Sequence, residues 1–264
     1  MDYDFNKAKN EWTNCPIDDI NYFDTKKFNE KSDIEIKFII DKFIKNRYSL
    51  QDPGVIPGVC KKGWRNFNNL WRKHLIDDVE NKTIFDFGCG FGVESLQFAN
   101  NNNKVIVGDI NQSNINIANR ILKIYGRESL YSVLIDNSKP FFKLQDKIDI
   151  FYANGVLHHT PKIREILIEA VKNLNDDGEI RLLLYTDISW TNRTKTEPPN
   201  NYDVSITKHP KYHIFVRSMD SVGLYADWYN EEKLNHMFGD FLELKKFLYI
   251  TSTDEYCVAI FKPK

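Results

Sequence analysis

The sequence predicts a doubly wound α/β fold, built on a seven-stranded, mostly parallel sheet with an N-terminal helical cap. Three observations predict it. Five short apolar runs between residues 82 and 185 alternate with stretches of helical periodicity. Three glycines at alternate positions, Gly88, Gly90 and Gly92, lie between the first run and the helix that follows. Two more apolar runs near residue 264 are joined by a short polar connection, as in a hairpin.

Residues 1–80, rich in aromatic, Asn, Asp and Lys side chains, form the cap and a candidate substrate region. Ile34, Ile36, Phe38, Ile39, Phe43 and Ile44 recur at helical spacing and predict a helix over 33–47. Gln51-Asp52-Pro53-Gly54 and Pro57-Gly58 mark turns. A second helix is predicted over 66–79, with Phe67, Leu70, Trp71 and Leu75 on one side.

From residue 81 the rhythm changes. Strands are predicted over 82–87, 104–108, 130–135, 148–153 and 179–185, and helices over 93–100, 114–125 and 163–174. Gly126 suits a helix C-terminus, and Asn175-Asp176-Asp177-Gly178 a turn. Apolar strands alternating with helices imply a parallel sheet covered on both faces. Residues 186–224 break the alternation: they are polar, contain Pro198-Pro199 and Pro210, and read as a lid inserted into a domain spanning 81–264. A helix over 231–238 precedes strands over 241–250 and 256–261, so the sheet is expected to close with an antiparallel end strand.

Composition sets outer bounds. With 264 residues and 42% hydrophobic content, the chain has enough apolar material for a substantial core. A formal net charge of -1 supplies no overall field toward nucleic acid or an acidic membrane. Cys15, Cys60, Cys89 and Cys257 form no C-x-x-C pair and no zinc spacing, so free thiols and no metal are expected. Met1-Asp2-Tyr3-Asp4 lacks a signal peptide's basic and apolar regions, and no apolar run reaches the ~20 residues of a membrane span. A cytoplasmic protein with no membrane partner is expected.

The loop Asp86-Phe87-Gly88-Cys89-Gly90-Phe91-Gly92 carries the chemistry. Glycine lets a ligand approach the backbone, and the next helix presents free N–H groups. A dinucleotide fingerprint needs its third glycine at position 93, which is Val93. A phosphate loop needs Gly-Lys-Ser/Thr, which is absent. Asp86 would repel a pyrophosphate but suits a cationic ligand. Asp109 ends the second strand, 17 residues past Gly92, where a carboxylate can accept from both hydroxyls of a ribose.

With these residues the chain resembles the class I S-adenosylmethionine-dependent methyltransferases of the small-molecule type. Asp86 to Gly92 resembles their first motif and Asp109 their acidic ribose ligand. Asn154-Gly155-Val156-Leu157-His158-His159-Thr160-Pro161 resembles a segment at the end of their fourth strand. The resemblance covers roughly residues 80–185. It implies the Rossmann-like methyltransferase fold and S-adenosylmethionine as cofactor. It also implies cofactor contacts at Asp86, Gly88, Cys89, Gly90, Gly92, Asp109 and Ile110. Asp136, with Asn137 beside it, is then expected at the adenine amino group, and Asn154 and Gly155 at the methionine end.

Methyl transfer is an in-line displacement, and positioning with exclusion of water supplies much of its acceleration. A base is needed only if the acceptor is protonated. His159, with His158, is the candidate base, since a free imidazole has a pKa of about 6.5. Packing beneath the cofactor is an equal alternative for the pair. In the 186–224 segment Trp190 could enclose an apolar or sulfonium group, and Arg193 could pair with an acidic acceptor. Trp64 and Arg65 are candidates for the methionine carboxylate. The cluster Tyr225-Ala226-Asp227-Trp228-Tyr229 fits core packing better than a site.

The expected reaction is methylation of a small-molecule acceptor at oxygen or nitrogen. Nucleic-acid amino-methyltransferases often end their fourth strand in Asn/Asp-Pro-Pro-Tyr, where this chain has Asn154-Gly155-Val156. The glycine spacing disfavours a nicotinamide oxidoreductase. A non-catalytic cofactor-binding partner subunit stays open at this point.

Overall fold

The computed structural model describes residues 3–14, 28–47, 70–219, 224–251 and 253–264. Strands β1 (Thr83–Phe87), β2 (Lys104–Asp109), β3 (Ser132–Leu134), β4 (Ile148–Asn154), β5 (Leu174–Tyr185), β6 (Leu242–Tyr249) and β7 (Tyr256–Pro263) form one sheet. Its order is β3-β2-β1-β4-β5-β7-β6. The first five strands are parallel, and β7 runs antiparallel to both β5 and β6.

The two-residue period of each strand divides the core between the sheet's faces. Ile84, Val105, Val107, Ile150, Tyr152 and Leu183 face one side, against Leu96 and Phe98 of helix Val93–Asn100 and Ala118 and Ile121 of helix Gln112–Ile124. Phe85, Phe87, Ile106, Phe151, Leu182 and Leu184 face the other, against helices Ile163–Asn173 and Glu231–Phe238. Phe85, Phe87, Phe142 and Phe151 interlock there, with ring centroids 5.1 Å apart for Phe85–Phe142 and 5.3 Å for Phe87–Phe151. These rings fix the strand that carries the glycine loop.

The described parts of the cap continue this core. Helix Asp33–Arg47 buries Ile36 and Ile40, and Arg120 pairs with Asp33 at 2.8 Å. Helix Phe5–Asn14 lies over the start of helix Gln112–Ile124, where the side-chain amide of Asn111 donates to the Lys9 carbonyl at 3.0 Å.

Four local expectations change. The helix predicted over 66–79 is described from residue 70 and ends at Leu75; Asp77 and Asp78 follow, where acidic charge opposes the helix dipole. Residues 175–178 are not a free turn but bulge within β5, whose pairing jumps from Ile148↔Leu174 to Ile150↔Glu179. The antiparallel strand is not the edge of the sheet. β7 is almost wholly apolar and buried and takes the inner place, while β6, with Glu243, Lys245 and Lys246, takes the edge. Finally, the described part of 186–224 is not a plain loop but contains helices Asp187–Thr194 and Tyr212–Ser218. Thr186 caps the first helix by accepting from Ser189 N–H at 3.3 Å, and Trp190 and Phe215 pack at 5.1 Å between ring centroids.

Among the described residues no helix is long and apolar enough to cross a membrane, and no group of His, Cys, Asp and Glu is arranged to hold a metal. Cys89 and Cys257 are free and buried; Cys15, Cys60, Trp64 and Arg65 lie outside the described residues.

Candidate functional site: a cavity at the strand ends

A cavity opens where β1, β2, β3 and β4 end, the usual crevice of a parallel sheet. Nine of the expected cofactor residues line it: Gly88, Cys89, Gly90, Asp109, Ile110, Asp136, Asn137, Asn154 and Gly155.

The loop after β1 is held against β2. The N–H groups of Gly88 and Cys89 both donate to the Gly108 carbonyl, at 2.8 and 2.9 Å. Gly88 has φ +78°, and a Cβ there would lie 2.5 Å from a methyl of Val156. Gly90 N–H donates to Oδ2 of Asp109 at 3.0 Å. Oδ1 of Asp109 accepts from Asn111 N–H at 2.9 Å and from the Asn114 amide at 3.1 Å. A carboxylate offers about four acceptor positions, so Oδ2 keeps room for a further donor. Burial pushes the Asp109 pKa up to about 6, opposed by the N–H donors around it.

Two expected contacts are displaced from the cavity wall. Asp86 is buried, and its carboxylate receives the hydroxyl of Ser95. Burial raises its pKa to about 7. It ties β1 to helix Val93–Asn100. Gly92, at φ +73°, sits just before that helix, and a Cβ there would come 2.7 Å from Ala118 Cβ. Its place in the spacing is set by helix–helix approach.

The lining fits a cationic adenosyl ligand. Among the described residues it carries three carboxylates, Glu94, Asp109 and Asp136, against one ammonium, Lys162. Lys162 already donates to the Asn137 carbonyl at 3.2 Å. Two buried amide oxygens on the wall, Oδ1 of Asn114 and Oδ1 of Asn154, have no hydrogen-bond partner among the described residues and offer acceptors to a ligand's N–H or O–H groups. Burial keeps the Cys89 thiol protonated, and it donates to the Gly90 carbonyl at 3.6 Å.

His158 and His159 line the cavity and are both buried. Their contacts fix their tautomers. Tyr185 N–H donates to His158 Nδ1 at 3.1 Å, so His158 carries its proton on Nε2. That proton points at His159 Nε2, 3.1 Å away, and His159 Nδ1–H donates to the Tyr225 carbonyl at 3.1 Å. The ladder contains two neutral rings. The His159 lone pair that a base would use accepts from His158, an arrangement that suits the packing alternative expected for the pair. Tyr185 stacks on His158 at 3.6 Å between centroids, and Trp12 tilts over His159 at 4.9 Å.

Trp190 and Arg193 do not reach the cavity. Trp190 is wholly buried and donates from Nε1 to the Glu197 carbonyl at 3.1 Å, while Arg193 pairs with Glu255 at 3.1 Å. Both hold the inserted helices in place. Sequence reasoning missed other residues that line the cavity: Tyr3 just before helix Phe5–Asn14, Phe5 and Trp12 on that helix, Phe43, Glu94 and Tyr256. Glu94, two residues past Gly92, was detectable from the loop, and Phe43 belongs to the helical pattern over 33–47; Tyr3, Phe5 and Trp12 carry no spacing signal and are placed only by packing.

A protein-family model described as a methyltransferase domain matches residues 85–180. No curated protein sequence matches the chain. Among solved structures, an S-adenosylmethionine-dependent methyltransferase from Clostridium acetobutylicum aligns with TM-score 0.53 at 11% identity, covering 87% of this chain and 98% of its own. A protein from Pyrococcus horikoshii aligns with TM-score 0.54 at 13% identity, covering 84% and 99%. The N-methyltransferase NodS from Bradyrhizobium japonicum, solved with S-adenosyl-L-homocysteine, aligns with TM-score 0.50 at 15% identity, covering 76% and 91%. At these identities the likeness is one of fold. The family match over residues 85–180, the fold and the cradle agree on a methyltransferase domain with S-adenosylmethionine as its methyl donor.

Proposed function

We propose that the protein transfers the methyl group of S-adenosylmethionine to an oxygen or nitrogen of a small-molecule acceptor. The observation that carries this reading is the continuity of the cavity, which runs from the Gly88–Asp109 cradle past Asn154 and Gly155 to the wall formed by Trp12 and His159. In this reading Asp109 accepts from the ribose and Asp136 and Asn137 stand at the adenine. Gly88, Cys89, Gly90, Asn154 and Gly155 surround the methionine end, while Asp86 and Gly92 set the shape of the loop. Residues 1–80 act as a cap that completes the acceptor pocket. Residues 81–264 hold the methyl donor, with the 186–224 insertion bracing the far side.

S-adenosylmethionine supplies an electrophilic methyl carbon on a sulfonium. The acceptor's lone pair forms the new bond as the carbon–sulfur bond breaks, and the electron pair of that bond leaves on sulfur. The chain's residues orient the acceptor and exclude water. The neutral ladder of His158 and His159 favours an acceptor whose lone pair is available without a base, its proton passing to solvent after transfer.

Incubation with S-adenosylmethionine labelled in the methyl group, against a panel of phenols, amines and nucleic acids, tests the reading. Label on a small phenol or amine is the expected result. Label on nucleic acid alone, or tight donor binding with no transfer to any acceptor, would overturn it.

A further inference from the structure

The molecule holds a second buried polar cluster, behind the imidazole wall and outside the cofactor cradle. Lys233 and Asp227 form an ion pair at 2.7 Å, with side chains only 6% and 8% exposed. A buried lone charge is costly, so such a pair is held only where its geometry is closely fixed. Three contacts fix this one. Asn230 caps helix Glu231–Phe238 by accepting from Lys233 N–H at 2.8 Å, which sets the root of the lysine. The ammonium lies 4.3 Å from the centroid of the Trp228 ring. Oδ1 of Asp227 also accepts from Trp228 N–H at 2.8 Å.

The backbone between these residues is what the two imidazoles rest on. Asp227 N–H donates to the His158 carbonyl at 2.9 Å. The Tyr225 carbonyl accepts from His159 Nδ1–H. Tyr229 N–H donates to the Tyr185 carbonyl at 2.8 Å, and Tyr185 N–H in turn donates to His158 Nδ1. Residues 225–229 thus form a strap touching each end of the ladder, and the ion pair ties that strap to a helix of the main core.

We infer that Lys233 is a positioning residue for methyl transfer: through Asp227 it fixes the strap, and the strap fixes the tautomer and plane of His158 and His159 on the acceptor side of the cavity. The inference rests on the proposed function only in taking that side as the acceptor's. It names a residue remote from the glycine loop that sets the wall without touching the cofactor.

The test is nitrogen NMR of the histidine rings in full-length protein labelled with 15N-histidine, with S-adenosylhomocysteine as the cofactor probe. In the unaltered protein His158 is expected protonated at Nε2 and His159 at Nδ1, as two fixed neutral tautomers. In Lys233→Met both rings are expected to average between tautomers, while affinity for S-adenosylhomocysteine stays within about threefold, because the pair and the cradle share no partner. Lys233→Arg, which keeps the charge, is expected to restore the fixed signals. Asp227→Asn keeps Oδ1 for Trp228 N–H but removes the ion pair, and provides the same readout should Lys233→Met fail to fold. Folded variants with lowered thermal midpoints but unaltered ring signals would make the pair merely structural and overturn the inference. So would an unaltered protein lacking the two fixed tautomers. Failure of S-adenosylhomocysteine to bind at all would strike the proposed function instead, leaving the ring readout to be judged by itself.

Discussion

Gly90 donates its backbone N–H to Oδ2 of Asp109 at 3.0 Å, so the loop after β1 and the carboxylate that ends β2 behave as one unit. Removing the carboxylate takes away a ligand contact and releases the loop together. Asp109→Ala is therefore expected to weaken S-adenosylhomocysteine binding by at least about 100-fold, the loss of two charge-assisted hydrogen bonds. Isothermal titration calorimetry reads this directly, and an affinity within about threefold of the unaltered protein would remove Asp109 from the site.

Asp109 and Asp86 also make the protein's response to pH specific. Burial raises both above the ordinary carboxylate value, to about 6 and about 7. A carboxyl whose pKa is higher folded than unfolded binds protons on folding, so its stabilising effect is fully present below the unfolded value and is lost as pH rises through the folded one. The thermal midpoint of cofactor-free protein is expected to rise as pH falls from about 8 to about 5. Cofactor affinity runs the other way, because a protonated Asp109 loses acceptor capacity: binding of S-adenosylhomocysteine should weaken below about pH 6. Parallel movement of stability and affinity across that window would contradict the assignment.

Gly92 tests the packing role of the third glycine. Alanine there must adopt φ +73° and place its Cβ 2.7 Å from that of Ala118. Gly92→Ala is expected to destabilise the fold by about 2–4 kcal/mol, combining left-handed strain with overpacking. Chemical denaturation measures it; a change under about 0.5 kcal/mol would show the two helices free to part.

Trp190 separates bracing from binding. It is wholly buried against Phe215 and His209 and does not line the cavity. Trp190→Ala should cost about 3–5 kcal/mol of stability and leave the cofactor affinity of the folded protein unchanged. A selective loss of binding without loss of stability would return Trp190 to the site.

The parts of this protein governed by local rules were legible in its sequence. Val105, Ile106 and Val107 form a buried strand because they are apolar on both faces, and Gly88 to Gly92 mark a strand-to-helix turn that ordinary residues cannot make. What escaped was set at a distance. Nothing near Trp190 in sequence reveals that Phe215 and His209 enclose it. Nothing near His158 reveals that Tyr185 N–H donates to its Nδ1, which turns the His158 Nε2–H toward the Nε2 lone pair of His159. Asp86 looked like a ligand contact because its position matches a motif; the hydroxyl that occupies it belongs to Ser95, nine residues on.

Calorimetric titration of the full-length protein with S-adenosylmethionine, S-adenosylhomocysteine and NAD tests the central claim most directly. The account predicts one site for the first two, with an affinity that depends on Asp109, and no detectable heat from NAD. Binding of NAD, or absence of binding by both adenosyl ligands to folded protein, would contradict it.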